Sequence, residues 1–229
     1  MAPLTSAAED FRGRVDGFAR DGESQVRVAL ADVDLRDVEA ARDRLIEALP
    51  VIGGDQHDVA ATYAGDWYML LRDAAGAPGA VDIDLPPRPE TARWEALARW
   101  GVDPLLGAEP DVDAALARVA GGMQRTIADG ARTTVSLASV RDPATAGWKR
   151  LGSGNCGFCR MLIGRGAVYS ASTASFASHD HCRCMAAPVF IKGVEPVAVN
   201  DYVGTDRRLS PETRAANNAR VRAYMQGDL

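Results

Sequence analysis

Residues 154–185 read GNCGFCRMLIGRGAVYSASTASFASHDHCRCM. This tract holds all four cysteines of a 229-residue chain and two of its three histidines. Thiols used only as small hydrophobes would be scattered, so their confinement here points to a local requirement. Cys156 and Cys159 stand in a Cys-x-x-Cys spacing, which lets one tight turn aim two thiolates at one tetrahedral metal. Gly152, Gly154 and Gly157 permit the unusual dihedrals of such a turn, and Asn155 tolerates them. After about twenty residues, HDHCRC supplies His179, His181, Cys182 and Cys184. Two groups of soft ligands at this separation describe a small zinc site closed over a loop. Alternation along an extended segment puts Cys182 and Cys184 on one face, so both reach the ion. The preferred set is Cys156, Cys159, Cys184, and either Cys182 or His179, with the remaining histidine outside the shell. Four protein ligands would make the ion structural, since a catalytic zinc keeps an open position.

Other chemistries fit less well. A zinc nucleobase deaminase needs His-x-Glu ahead of Pro-Cys-x-x-Cys, and here the order is reversed and the Glu is missing. A redox Cys-x-x-Cys belongs near a βαβ unit, whereas this one follows helical sequence. SHDHC has some likeness to the core of His-Asn-His nucleases, so a metal-dependent nuclease on His179, Asp180 and His181 stands as the alternative. His57, alone in the front half, reads as a surface or cap residue.

Hydrophobic content of 47% with 25% charged residues is that of a soluble globular chain. Apolar runs such as AVYSA and AAPVFI fall far short of the roughly 20 residues that span a bilayer, so no membrane span is expected. The amino terminus MAPLTSAAEDFRGRVDG lacks a basic segment followed by an apolar one, which argues against a secretory signal. A reducing compartment then favours metal over disulfides. Charge is uneven: residues 1–140 carry 14 basic and 24 acidic side chains, residues 141–229 carry 12 and 7. The basic carboxy-terminal third suits an acidic partner or a solvated surface equally.

Helical periodicity dominates the front of the chain. Phe11, Val15 and Phe18 share one face. Asp34 reads as the N-cap of a helix through Leu35, Val38, Leu45 and Leu49 that Pro50 stops, and Val59, Tyr63, Trp67 and Leu70 define another. AAGAPGAVDIDLPPRPE (74–90) is a loop or linker. Trp94 and Leu97 mark a short helix, and Val112, Leu116, Val119, Met123 and Ile127 a longer one with acidic residues at its start. TTVSLASV, from Thr133, fits helix or strand equally. APVFI reads as a short buried strand, and Ser210 with Pro211 starts a terminal helix. The expected organisation is a helical amino-terminal region (1–75), a linker (76–90), a helical middle (91–146), a zinc-binding core (147–192) and a tail with a helix (193–229). The fold class is α+β, a mostly α-helical front with a small zinc-clamped carboxy-terminal α/β element. Trp67, Trp94 and Trp100 are expected in the core.

GWKRLGSGNCGFCRMLIGRGAVYSASTASFASHDHCRC (147–184) resembles the core of the MuF-like minor capsid, or head-morphogenesis, proteins of tailed bacteriophages, particularly the actinophage type. The shared features are Cys-x-x-Cys, a tract of about twenty residues, and a closing His-x-x-Cys-x-Cys that falls on His179, Cys182 and Cys184. His181 stands where the wider family carries asparagine. The resemblance implies a structural virion component, made in the host cytoplasm and placed inside the phage head. It also implies portal and capsid proteins as partners, DNA as a further one, and no small-molecule substrate. Related phage genes are sometimes described as capsid maturation proteases, but no Ser-His-Asp arrangement is legible here. Arg160, Arg165, Arg183, Arg207 and Arg208 are the basic residues to suspect for DNA contact, with surface solubility the favoured reading of them.

Overall fold

The computed structural model describes residues 2–152, 157–164, 176, 178, 180–190, 210 and 212. Helix α1 (Ala2–Ala29) buries Phe11, Val15, Ala19 and Val26, a stripe at steps of four and seven that faces the core. Helix α2 (Val38–Ala74) starts later than expected. Asp37 is its N-cap, accepting the Ala40 N–H at 3.0 Å, while Asp34 binds the Arg36 N–H in the preceding turn.

Pro50 does not stop α2, which runs on to Ala74 and is 37 residues long in all. A mid-helix proline loses one backbone hydrogen bond and crowds the preceding turn, about 3 kcal/mol. Burial outweighs that. Leu45 and Leu49 before the proline, and Trp67 and Tyr68 after it, all enter the same core, at roughly 1.5–3 kcal/mol for each large apolar side chain.

Helix α3 (Thr91–Gly101) and a 3₁₀ turn (Asp103–Leu106) lead to α4 (Val112–Arg141), which Asp111 caps by accepting the Ala114 N–H at 2.9 Å. TTVSLASV extends α4. Its hydroxyls are satisfied inside the helix, Thr134 donating to the Gly130 carbonyl at 2.9 Å and Ser139 to that of Val135 at 2.7 Å.

Contacts fix the helix directions. Phe11 stacks on Trp67 and Phe18 meets Tyr63 edge-on, so α1 runs against α2. His57 lies on Gly130 and Tyr68 reaches Asp142, so α2 runs with α4. Arg93 pairs with Asp129 while Gly101 abuts Val119, so α3 runs against α4. The four helices therefore alternate in direction. Gly130 is where two backbones meet: a β-carbon there would lie 2.7 Å from the His57 carbonyl oxygen. This close approach buries His57, which is 4% exposed rather than a surface residue.

Strands β1 (Trp148–Leu151) and β2 (Met185–Pro188) form an antiparallel pair with Trp148 opposite Pro188 and Leu151 opposite Met185. The strand falls slightly earlier than APVFI suggested, although Val189 still exchanges bonds with Ala146 and Gly147. One core runs from Phe11 to Ala187, shared by the helices and both strands, and it includes Trp67 and Trp94. Trp100 is instead 42% exposed, under the Arg118 guanidinium. No helix among the described residues is long and apolar enough to cross a membrane. The expected carboxy-terminal helix lies outside the described residues apart from Ser210 and Glu212.

Candidate metal centre

The tract between β1 and β2 contains helix α5 (Gly157–Gly164), so Cys159 sits in the first turn of a helix rather than in the tight turn expected there. The helix end presents backbone N–H groups that favour negative charge. His181 adopts φ 60, and this left-handed residue turns the chain before Cys182. Cys182 and Cys184 then face inward while Arg183 stays exposed, as extended alternation requires.

The sulfur atoms of Cys159, Cys182 and Cys184 all lie within 4.8 Å of one another. Cys159 Sγ and Cys182 Sγ are 3.8 Å apart, and no disulfide joins the three. Each residue is at most 5% exposed. Cys156 and His179 lie outside the described residues. His181 is not in this group: its ring lies over Gly121 of α4, where a β-carbon would be 2.5 Å from Nε2. There it lines a groove of about 270 Å³ with Asp16, Arg20 and Arg183. The turn at His181 separates its side chain from that of Cys182.

A cradle of buried polar groups holds the thiols. Arg132, fully buried in α4, donates from Nε to the Cys184 carbonyl at 2.8 Å and from Nη2 to the Cys182 carbonyl. Gln124 adds a bond to the same Cys182 oxygen at 3.1 Å. Asp129 accepts from Arg132 at 2.9 Å and from Ser178 at 3.0 Å, which ties the loop to the helix. Phe176 is stacked on Trp148, with the Arg150 and Arg132 guanidinium groups over its ring at 3.8 and 5.1 Å. Gly152 completes the fit, since a β-carbon there would come within 2.6 Å of Cys184 Sγ.

The thiols share charge unequally. The hydrogen bond from Cys184 lowers the Cys182 thiol; burial opposes this and the Arg132 guanidinium assists it. Cys184, the donor in a buried site, is raised. A thiolate at Cys182 backed by a buried cation is the state that binds a soft metal ion. Three buried sulfurs in mutual reach, with no carboxylate among them, could hold such an ion.

Sequence reading missed the cradle. Arg132 carried a signal, because it interrupts the apolar stripe of Ala128, Ala131 and Val135 on α4, and a charge on a buried face needs a partner. Gln124, Phe176 and the fit at Gly152 depend on tertiary placement and leave no local pattern.

No curated protein and no solved structure matches the chain. Residues 3–202 match the family described as VG15 protein, and as that match covers most of the sequence, the chain belongs to the VG15 family and is phage-encoded.

Proposed function

We propose that this protein is a structural component of the phage head, a minor capsid or head-morphogenesis protein whose carboxy-terminal third is clamped by one zinc ion. Its partners in this reading are the portal and capsid proteins, with packaged DNA as a further contact, and its location is the interior of the virion. Membership of a phage-encoded family and the resemblance of residues 147–184 to MuF-like proteins support that role.

The observation that carries the zinc reading is the spacing of the sulfurs. Tetrahedral zinc with Zn–S bonds of about 2.3 Å requires sulfurs about 3.8 Å apart, and Cys159 and Cys182 meet that value. Cys159, Cys182 and Cys184 would hold the ion, with Cys156 or His179 as the fourth ligand. The ion would supply a cross-link between α5 and the segment entering β2, so its binding free energy would be folding free energy for this element.

Purified protein should contain one zinc per chain by mass spectrometry, and proteomics of purified virions should find the protein inside the particle. Protein absent from virions, or prepared without chelator and lacking metal, refutes the respective half of the reading. A second reading is favoured by one observation, the exposure of His181 in a groove away from the thiols. A nuclease using His179, Asp180 and His181 would cut duplex DNA with Mg²⁺ and lose that activity, but not its fold, in His181→Ala.

A further inference from the structure

The outward face of the small sheet bears a second feature, apart from the thiols. Trp148 and Arg150 point toward Phe176, so alternation turns Lys149 and Leu151 the other way. The register sets Ala187 opposite Lys149. An alanine there leaves unfilled the space that a larger side chain would occupy, and a cavity of about 240 Å³ opens between this face, α1 and α2.

The cavity's walls and rim differ in character. Leu151, Pro188, Leu71 and Trp67 are its apolar walls, and the Trp67 indole N–H has no acceptor among the described residues. Arg12, Lys149 and Glu9 stand around it. Lys149 makes no ion pair among the described residues; Arg12 donates to the backbone oxygen of Arg183 at 3.3 Å and lies close enough to Asp16 to lower its carboxyl. Whole-ligand sites usually occupy roughly 300–1,000 Å³, so this cavity is undersized for a cofactor. It suits one large side chain of the kind that anchors protein interfaces. Two cations against one carboxylate select for negative charge beside that side chain.

We propose that this cavity is the docking site for an acidic-aromatic peptide segment of a partner protein, the aromatic ring entering between Trp67 and Leu151 and a flanking carboxylate meeting Lys149 and Arg12. The site contains none of the three thiols, although Gly152 borders both, and it does not rest on the zinc reading.

The test uses the full-length protein as purified and a fluorinated probe, N-acetyl-Glu-Asp-(4-fluoro-Phe)-Asp amide, followed by ¹⁹F NMR at millimolar peptide. Saturable binding is expected, weakened roughly fivefold by Lys149→Glu and strengthened about twofold by Glu9→Gln, as exposed charges warrant. Ala8→Trp, which fills the half-exposed rim, should remove binding while circular dichroism stays unchanged. Several outcomes overturn the proposal: no binding, equal binding of a Lys-flanked peptide, or affinity indifferent to Ala8→Trp. Concentration-dependent dimerisation abolished by Ala8→Trp also overturns it, because the occupant would then be a second copy of the chain.

Discussion

Arg132, in the middle of α4, donates to the carbonyl oxygen of Cys184 at 2.8 Å and reaches that of Cys182 with its other arm. One buried guanidinium thus sets the path of the backbone on which two of the three clustered thiols are mounted. It also places positive charge where thiolates would gather. The bundle and the thiol cluster are in this sense one structure, since α4 is both the core helix and the support of the site.

Replacing Arg132 with Lys keeps the charge but loses the planar fork that spans two carbonyls. Removing a group that orients metal ligands typically weakens metal binding by about 10- to 100-fold. Arg132→Lys should therefore release metal to a chromophoric chelator at lower chelator concentration. Arg132→Met should in addition lower stability, because Asp129 keeps only its bonds from Arg93 and Ser178. Metal affinity unchanged in the Lys variant would show that the cradle does not position the thiols.

Removing the proposed zinc should act locally. Chelation, or Cys182→Ser, is expected to open amide exchange in β1, α5 and β2 while the central turns of α4 keep their protection, since α4 also packs along α2 and α1. Hydrogen exchange with mass spectrometry reads both regions in one experiment. Loss of protection throughout the bundle would mean that the thiol cluster also governs the helices.

The buried ion pair of Arg72 with Asp142, at 2.8 Å, is a separate anchor. Arg72 also donates to the carbonyls of Ala77, Pro78 and Gly79, and Tyr68 donates to Asp142 at 3.0 Å. Burial, with the neighbouring carboxylate, raises the Tyr68 hydroxyl well above its usual range, so it stays a donor. Asp142→Ala leaves a buried cation uncompensated and should cost about 3–5 kcal/mol in urea unfolding. Tyr68→Phe should cost about 1 kcal/mol. Similar small losses for both would contradict the network.

These anchors mark where sequence reading reached its limit. The helical faces of Phe11, Val15 and Trp67 were legible because a period of three to four is a local property. The inward pairing of Cys182 and Cys184 was legible for the same reason, whereas Cys156 of the Cys-x-x-Cys lies outside the described residues. Pro50 misled because a helix's fate there depends on burial by α1 and α4, not on its own propensity. TTVSLASV stayed ambiguous because its hydroxyls choose helix only when their helical carbonyls are the available acceptors. His57 was misplaced because its burial depends on Gly130, more than seventy residues away in the chain. His181 shared the motif but not the cluster, since one left-handed residue redirects the chain.

Asp16 supplies a pH dependence. Its carboxyl is raised from the ordinary 3.8 by burial, against the lowering influence of Arg183, Arg12, Arg20 and Arg132. The folded state therefore holds this proton more tightly than the unfolded chain, and stability falls as pH rises through the interval above 3.8. Asp16→Asn removes that loss. Its melting temperature should exceed wild type near neutral pH and converge with it as pH drops below 3.8. A variant less stable than wild type at pH 7 would show that the 3.6 Å pairing with Arg183 outweighs burial.

Two glycine-to-alanine changes separate the thiol cluster from the histidine beside it. At Gly152 the new β-carbon would meet Cys184 Sγ at 2.6 Å and Ile163 Cδ1 at 3.2 Å. Cys184 is buried and its backbone is held by Arg132, so its sulfur does not yield easily, and overpacking of this kind costs about 1–3 kcal/mol. At Gly121 the β-carbon would meet the His181 ring, but that ring is exposed and can swing into the groove. Gly121 lies inside α4, where alanine is favoured over glycine by about 1 kcal/mol. Gly152→Ala should thus lower both metal affinity and melting temperature, whereas Gly121→Ala should keep the metal and match or exceed wild-type stability. If Gly121→Ala instead released the metal, His181 would have to be reinstated as a ligand.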